Sequence, residues 1–517
     1  MKLTHNKINK TLALLLGISF IVRALLAGWL EIGNDEVYYW TYALFPDWSH
    51  FDHPPMVGWM IQLFSLNLRF DSEFFIRLSS VVINTINTYL VFCIGKYIKD
   101  ELTGLYAAML YTASLYAFVI TGIFILPDTP QNLFWLLGFM MFVRYFKESN
   151  KANLYLVLAG IFTGLSVLSK YTGIFLWVGA GIYILIFNRK SLKNPYLYLS
   201  VLLTAICCLP ILIWNIQNDF ISFSFHGDRV SLFDKVRLDL LGTELLGEFF
   251  YNNPINFVLI IIALIAIIHR QNIIDVKPQR LILCTALPLI LIFIIFSLSR
   301  PTLPHWNAPA YNLLIFLAAA WIREHQKNTT QMPKAIIMAL GLATAIVVIG
   351  SVEIKTGIVP LDHNTEDDKR GKDDFTLDMY GWEQLEFGFK EIRDTSISRG
   401  IATEEMPIIA NQWFPLAHID YYVARPLKMK ALGLGPTQNT HKYLWINRER
   451  GGFAKGNSYW YITDSRLFKD PKQAYKGLFK DIVEVDKIAV TRNGKIVRYY
   501  YVYICYDLKY VPKSLQQ

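Results

Sequence analysis

Charge is scarce in this 517-residue chain: 18 % of its residues are Asp, Glu, Lys or Arg, against 53 % hydrophobic ones. Soluble domains carry about 25 % charged residues, so the shortage excludes a soluble multidomain protein and points to a membrane protein. Cysteine is scarce too. Of the five, Cys93, Cys207, Cys208 and Cys284 fall in apolar runs and Cys505 stands alone in the C-terminal part. That excludes a disulfide framework, and with no Cys-x-x-Cys pair or His/Cys cluster there is no structural zinc site. Internal repeats and low-complexity segments are also missing. Nor is a cleaved leader expected, because Arg23 interrupts the first apolar run and no small-residue cleavage site follows.

Long apolar runs are abundant. They recur near 11–30, 75–95, 102–124, 130–146, 153–169, 172–188, 196–214, 255–269, 281–298, 306–322 and 334–352. Each is long enough to cross a hydrocarbon core of about 30 Å as a helix, which predicts about eleven spans. Residues 153–188 could be one stretch interrupted at Ser169-Lys170-Tyr171, but two helices fit the length better.

The formal charge of +9 does not signal nucleic acid, because the basic residues sit in short loops between spans. Those loops, such as Arg144, Lys147 and Lys151 or Arg189, Lys190 and Lys193, are cytoplasmic by the positive-inside rule. The loops at 31–73, 125–129, 168–172, 215–253 and 299–305, and the tail after residue 352, then face outward. Composition changes at Val359-Pro360-Leu361-Asp362. The expected organisation is a membrane domain over 1–352, a charged linker over 353–380 and an extracytoplasmic α/β domain over 381–517. Within that last part, β-rich runs at 482–490 and 496–506 flank Asn493-Gly494, a strong hairpin signal.

The outward loops hold the residues suited to chemistry. Asn34-Asp35-Glu36 follows the first span, and His50-Phe51-Asp52-His53-Pro54-Pro55 completes that loop. Sugar transfer from a phosphate carrier needs a carboxylate to take the acceptor's proton and cations to hold the leaving phosphate. Asp35 or Glu36 could be that base; an exposed loop acid or a helix cap is the plain alternative, weightier for Glu36. Asp128, in Leu126-Pro127-Asp128-Thr129-Pro130, could equally be an N-cap. Lys170 could snorkel toward headgroups. His226, Asp228 and Arg229 lie in the longest outer loop, and Arg300 and His305 in the last one. Arginine and histidine there can cradle phosphate.

Taken in order, these segments resemble the bacterial family 39 glycosyltransferases, relatives of the protein O-mannosyltransferases and of the lipid A aminoarabinose transferase. The resemblance runs through Asn34-Asp35-Glu36, Asp52-His53-Pro54-Pro55, Arg77-Leu78-Ser79, Pro127-Asp128-Thr129-Pro130, Gly164 to Thr172, Leu209 to Asn215 with Ser222 to His226, and Leu303 to Tyr311. It covers essentially the whole membrane part. It implies a GT-C type polytopic helical fold with a small C-terminal α/β domain, placed in a bacterial inner membrane. It also implies an inverting glycosyltransferase with Asp35 as base and Asp128 in the same cavity. The expected donor is a sugar on a polyprenyl phosphate, undecaprenyl phosphate in bacteria, and the acceptor a lipid such as lipid A, a glycan or a protein.

Where the aminoarabinose transferase has a lysine before Pro-Pro this chain has His53, which shifts weight for the donor phosphate from His53 to Lys170, Arg229 and Arg300. A divalent metal held by Asp35, Glu36, Asp52 and Asp128 is conceivable, but the resemblance favours metal independence. The alternative class is a polytopic transporter or lipid flippase. Few ionisable residues lie mid-span and no paired, broken helices are expected, which argues against it.

Overall fold

The computed structural model describes residues 5–230, 236–271, 273–326 and 331–512, the side chains of residues 228–230 excepted. The chain divides into two compact units, Met1–Gly28 with Pro46–Val347 and Trp29–Phe45 with Val348–Gln517.

The first unit is helical among its described residues. His5–Trp29, Glu73–Ile98, Ala152–Ser169, Val276–Ser297 and Lys334–Thr356 are long and apolar enough to cross a membrane, and two bent pairs raise the number to as many as seven. The protein is therefore a multi-pass membrane protein. The apolar runs at 102–124, 130–146 and 306–322 also fold as helices, Glu101–Ala113, Asp128–Lys147 and Ala308–His325. The first of them stops short at Ser114 and continues as a π-helical turn, Tyr116–Ile120.

The run at 196–214, expected as a single span, is bent, and the expected outer loop at 215–253 contains helix Leu238–Tyr251. Pro195–Cys207 and Leu209–Gln217 meet at 43°, and Leu238–Tyr251 and Pro254–Ile268 at 100°. Proline explains both breaks: Pro210 and Pro254 lack the N–H that would continue the preceding helix, and Asn253 takes a left-handed φ of 68° at the sharper bend.

The stretch around Lys170 is two helices, as its length suggested. Ala152–Ser169 ends at Lys170, which is extended (φ −156°, ψ 136°), and a tight turn over Tyr171–Ile174 leads into Phe175–Phe187. Helices in this unit approach closely where side chains are small. A Cβ on Gly104 would lie 2.4 Å from the Phe92 carbonyl oxygen, and one on Gly160 would lie 2.3 Å from that of Ser200. Such contacts let dispersion hold helices together where lipid removes the hydrophobic incentive. Tyr106, Trp135, Phe139, Phe142 and Phe316 form part of a continuous buried core.

The second unit is built on a five-stranded sheet of β1 (Ile408–Ala410), β2 (Ala431–Gly433), β3 (Tyr459–Asp464), β4 (Phe479–Arg492) and β5 (Lys495–Leu508). The order is β2-β1-β3-β5-β4, with β1 parallel to β2 and β3, and β5 antiparallel to β3 and β4. The hairpin expected at Asn493-Gly494 joins β4 to β5; both turn residues have positive φ, 49° and 76°, as a two-residue connection of matching twist requires. Helix Trp382–Ser398 packs on the sheet, with Phe389 against Trp460 at 5.3 Å. The charged segment 362–378 is fastened by ion pairs from Asp374 to Arg492 and from Asp378 to Arg466 at 2.6 Å.

Trp29–Phe45, which follows the first span, groups with this unit rather than with the helices on either side of it in sequence. Nothing in the local sequence signals that.

Candidate active site

In the first unit, residues from separate segments of the chain meet at a cavity of about 850 Å³. Its polar lining includes His53, Lys170, His226, Arg300 and Thr302. The lining also includes apolar side chains, among them Phe175, Phe223, Phe293, Phe296 and Trp306. A cavity with an apolar wall and a few convergent polar groups is the usual form of a site for a ligand with a greasy body and a polar head.

Each polar group is held by its own local structure. The break after Ser169 turns Lys170 inward, where its Nζ donates to both oxygens of Asp128 at 2.9 and 2.8 Å. Both side chains are buried, at 7 % and 3 % exposure. Asp128 begins helix Asp128–Lys147 without capping it, and Tyr116 also donates to its carboxylate, at 3.3 Å. So neither plain alternative holds: the aspartate is not an N-cap and the lysine does not snorkel. Two groups that the sequence offered separately, 42 residues apart, form one ion pair.

The first outer loop is pinned to the segment after the 43° bend. Trp214 donates to Asp47 at 2.7 Å, His226 Nε2 donates to the Asp52 carbonyl at 2.7 Å, and the Phe51 and Phe225 rings lie 4.5 Å apart. This brings His53 within 6.3 Å of His226, ring to ring. The protein packed around His53 pushes its imidazole down to about 4, a shift Lys170 and His226 reinforce. His305 is likewise pushed down to about 4, by burial first and then by Lys170. Both histidines are therefore neutral near pH 7 and can give or accept hydrogen bonds, but they do not supply positive charge. Among the described residues, Lys170 and Arg300 bring cationic side chains to the cavity lining. Arg229 belongs to helix Ile221–Val230, but its side chain lies outside the described residues.

Asp35 and Glu36 belong to the second unit, in the first turn of helix Asn34–Leu44. Glu36 is buried and its carboxylate accepts the Gly33 N–H at 3.0 Å, a helix-capping role. Asp35 is exposed, whereas Glu36 to Ala43 are all buried.

Sequence reasoning missed Glu244 and Glu248. Both are buried on helix Leu238–Tyr251; Thr302 donates to Glu244 at 2.7 Å and Tyr311 to Glu248 at 2.7 Å, while Asn307 donates to both. Two acids four residues apart in an apolar stretch share one helix face, and that spacing was the available signal. Among the described residues, no group of three or more His, Cys, Asp or Glu side chains is arranged to hold a metal ion.

Residues 52–214 match the family of dolichyl-phosphate-mannose-protein mannosyltransferases. The lipid A galacturonosyltransferase RgtD of Rhizobium johnstonii is 22 % identical over 281 residues, 54 % of this chain and 58 % of that protein. The chain thus spans under two thirds of the length of the curated relative it matches. In fold it is similar to ArnT from Cupriavidus metallidurans bound to undecaprenyl phosphate, with a TM-score of 0.61, 13 % identity, and 95 % of this chain and 97 % of that one covered. The apo form of the same ArnT gives 0.59 at the same identity and coverage. The resemblance to the family 39 glycosyltransferases read from the sequence motifs is borne out by these matches.

Proposed function

We propose that this chain, a GT-C membrane protein of the family 39 glycosyltransferase kind, moves a sugar from a polyprenyl-phosphate carrier to an acceptor with inversion at the anomeric carbon. The observation that carries this reading is the cavity lined by both aromatic and cationic side chains. Its aromatic wall suits an isoprenoid chain, and Lys170 and Arg300 suit the phosphate. The likeness to a fold that holds undecaprenyl phosphate in ArnT supports the same carrier here. RgtD, by its name a transferase acting on lipid A, supports an acceptor in the cell envelope and, with the basic loops, a bacterial inner membrane with an extracytoplasmic site. Lipid A, a glycan and a protein remain the candidate acceptors.

In this mechanism Asp35 takes the proton from the acceptor hydroxyl or amine. The acceptor atom attacks the anomeric carbon on the face opposite the phosphate, and the bond from that carbon to the phosphate oxygen breaks. The electron pair leaves with the carrier phosphate, whose growing charge is met by Arg300 and Lys170. Asp128 holds the ammonium of Lys170 in place between turnovers. His53 and His305, neutral in their surroundings, offer hydrogen bonds to phosphate or sugar. No step calls for a metal.

Mass spectrometry of lipid, glycan and glycoprotein fractions tests this, in a deletion strain complemented with the wild-type chain or with Asp35→Asn. Asn keeps the size of Asp and its capacity at a helix start but loses the basic oxygen. The wild type should restore one sugar modification, and Asp35→Asn, made at wild-type level, should reduce it by about 10² or more. A modification restored equally by both would remove Asp35 as base.

A further inference from the structure

The helix that carries Asp35 is short, and its only exposed acid is the one assigned to chemistry. Eleven residues do not hold themselves in a helix in water. What fixes this one is the rest of the second unit, which grips it on both sides of Asp35. On the N-terminal side, the Glu31 carboxylate accepts the backbone N–H groups of Gly381 and Trp382 at 3.1 and 2.9 Å, docking onto the start of helix Trp382–Ser398. The Ile32 N–H donates to the Tyr422 hydroxyl at 2.8 Å, and the Ile32 carbonyl accepts from His418 Nε2 at 2.9 Å.

On the C-terminal side, Trp40 packs on Tyr421 at 5.2 Å and Arg450 lies over the Phe45 ring at 5.2 Å, and one ammonium holds the helix's carbonyls. Lys442, 3 % exposed, donates its ammonium to the carbonyls of Thr41 at 3.1 Å and Phe45 at 2.5 Å. These belong to the last turn and the C-cap of the helix, where the helix dipole favours a cation; the Thr41 carbonyl also accepts the Phe45 N–H at 3.0 Å, so the ammonium is its second donor. The same ammonium sits 4.6 Å from the centre of the Tyr42 ring.

Lys442 is itself aimed at a cost. His441, just before it, has φ 50° and ψ −128°, a conformation that a side chain disfavours. Tyr443, just after it, donates to Asp420 at 2.9 Å, and Arg450 clamps both oxygens of the same carboxylate at 2.8 and 3.0 Å. A buried lysine, presented from a strained residue and a buried ion-pair network, ends on two carbonyls of the helix bearing the candidate base.

We propose that Lys442 is a positioning residue: by tying down the end of helix Asn34–Leu44 it sets where the Asp35 carboxylate points during transfer. This rests on the reading of Asp35 as base, and it gives the C-terminal domain a part in the reaction. Without the tie, the helix end frays and the carboxylate samples positions from which it cannot reach the acceptor proton. A misplacement of about 1 Å can cost about 10² in rate.

The test uses the full-length chain with Lys442→Met, Lys442→Arg and Asp35→Asn. Two quantities are read: hydrogen exchange of the amides of residues 34–44 in the purified protein, and sugar transfer in membranes from the deletion strain, which hold their own donor and acceptor. Lys442→Met should speed exchange in that segment about tenfold or more and lower transfer by a comparable factor, with the exchange of strands β3 and β5 unchanged. Lys442→Arg, which can still reach two carbonyls with a cation, should restore both. Asp35→Asn should lower transfer by about 10² or more and leave exchange as in the wild type.

Wild-type transfer in Lys442→Met would overturn the positioning role, whether or not exchange rises. So would failure of Lys442→Arg to recover transfer when it recovers protection. Full transfer in Asp35→Asn would instead overturn the base itself. Should Lys442→Met unfold β3 and β5 as well, Lys442→Arg and Lys442→Gln supply the comparison, since Gln keeps one donor without the charge and should fall between the two.

Discussion

The buried pair of Lys170 and Asp128 gives the sharpest quantitative expectation. With both side chains more than nine-tenths buried and the ammonium on both carboxylate oxygens, removing one partner strands the other. Lys170→Met should cost about 3 to 4 kcal/mol of stability. A ceiling comes from protonation, because a stranded carboxyl of ordinary pKa near 4 can be neutralised at pH 7 for about 4 kcal/mol. Replacing both residues by apolar ones, Lys170→Met with Asp128→Leu, removes the stranded charge and should recover most of that loss. The four proteins form a cycle whose coupling should exceed about 2 kcal/mol, read from unfolding in mixed detergent and SDS micelles. Binding should behave differently. If Lys170 also meets the carrier phosphate, the double variant regains stability but not its affinity for undecaprenyl phosphate. A lysine that merely snorkelled would cost under about 1 kcal/mol singly and show no coupling; that outcome would refute the reasoning.

Arg300→Ala should weaken undecaprenyl phosphate binding by about 1.5 to 3 kcal/mol, the worth of a charge-assisted hydrogen bond; unchanged binding would take Arg300 out of the clamp. His53, His305 and His418 are all depressed by burial, the first two to about 4 and His418 to about 3. Between pH 6.5 and 4 the unfolded chain therefore binds more protons than the folded one, so stability should fall as pH falls through that window and be fully present above it. Melting measured from pH 8 to 4, with a shallower acid slope in His53→Gln, checks this; a stability gain on acidification would contradict it. For topology, a cysteine placed near residue 365 or 455 should react with a membrane-impermeant thiol reagent in spheroplasts, and one near Lys147 should not. The reverse pattern would put the active site on the wrong face.

How much of this was legible in the sequence depends on the range of the interaction. The Asn493-Gly494 hairpin and the break at Lys170 were readable because turn chemistry and span length act within a few residues. The acids and bases of the outer loops were readable as residue types at the ends of apolar runs. Which of them meet was not: Lys170 and Asp128 are 42 positions apart, Asp52 and His226 are 174 apart, and no local pattern pairs them. The grip of Lys442 on Thr41 spans 401 positions, so a segment that reads as a membrane-proximal loop turns out to be an inserted helix of the C-terminal unit. Glu244 and Glu248 escaped for another reason. Helix Leu238–Tyr251 fell in what the hydropathy pattern made an outer loop, and helical spacing has no meaning in a presumed loop.

The same distinction bears on which carboxylate is the base. Asp35, Glu36 and Asp128 looked alike in the sequence, as acids at helix starts near the outer boundary. Their surroundings separate them. Both oxygens of Asp128 are occupied by an ammonium, and a carboxylate stabilised in that way is a weak base that gives up its partner only at the cost of a buried charge. Glu36 is buried and spends its carboxylate on the Gly33 N–H at its own helix start, where an acid is worth about 1 kcal/mol to the helix. Asp35 alone combines an exposed side chain with a backbone that is tied at both ends, at Glu31 and Ile32 before it and at Thr41 and Phe45 after it. A general base must be reachable by its substrate and must also be held still. In the proposed mechanism Asp35 is exposed and its helix is held, the latter through contacts made by the C-terminal unit.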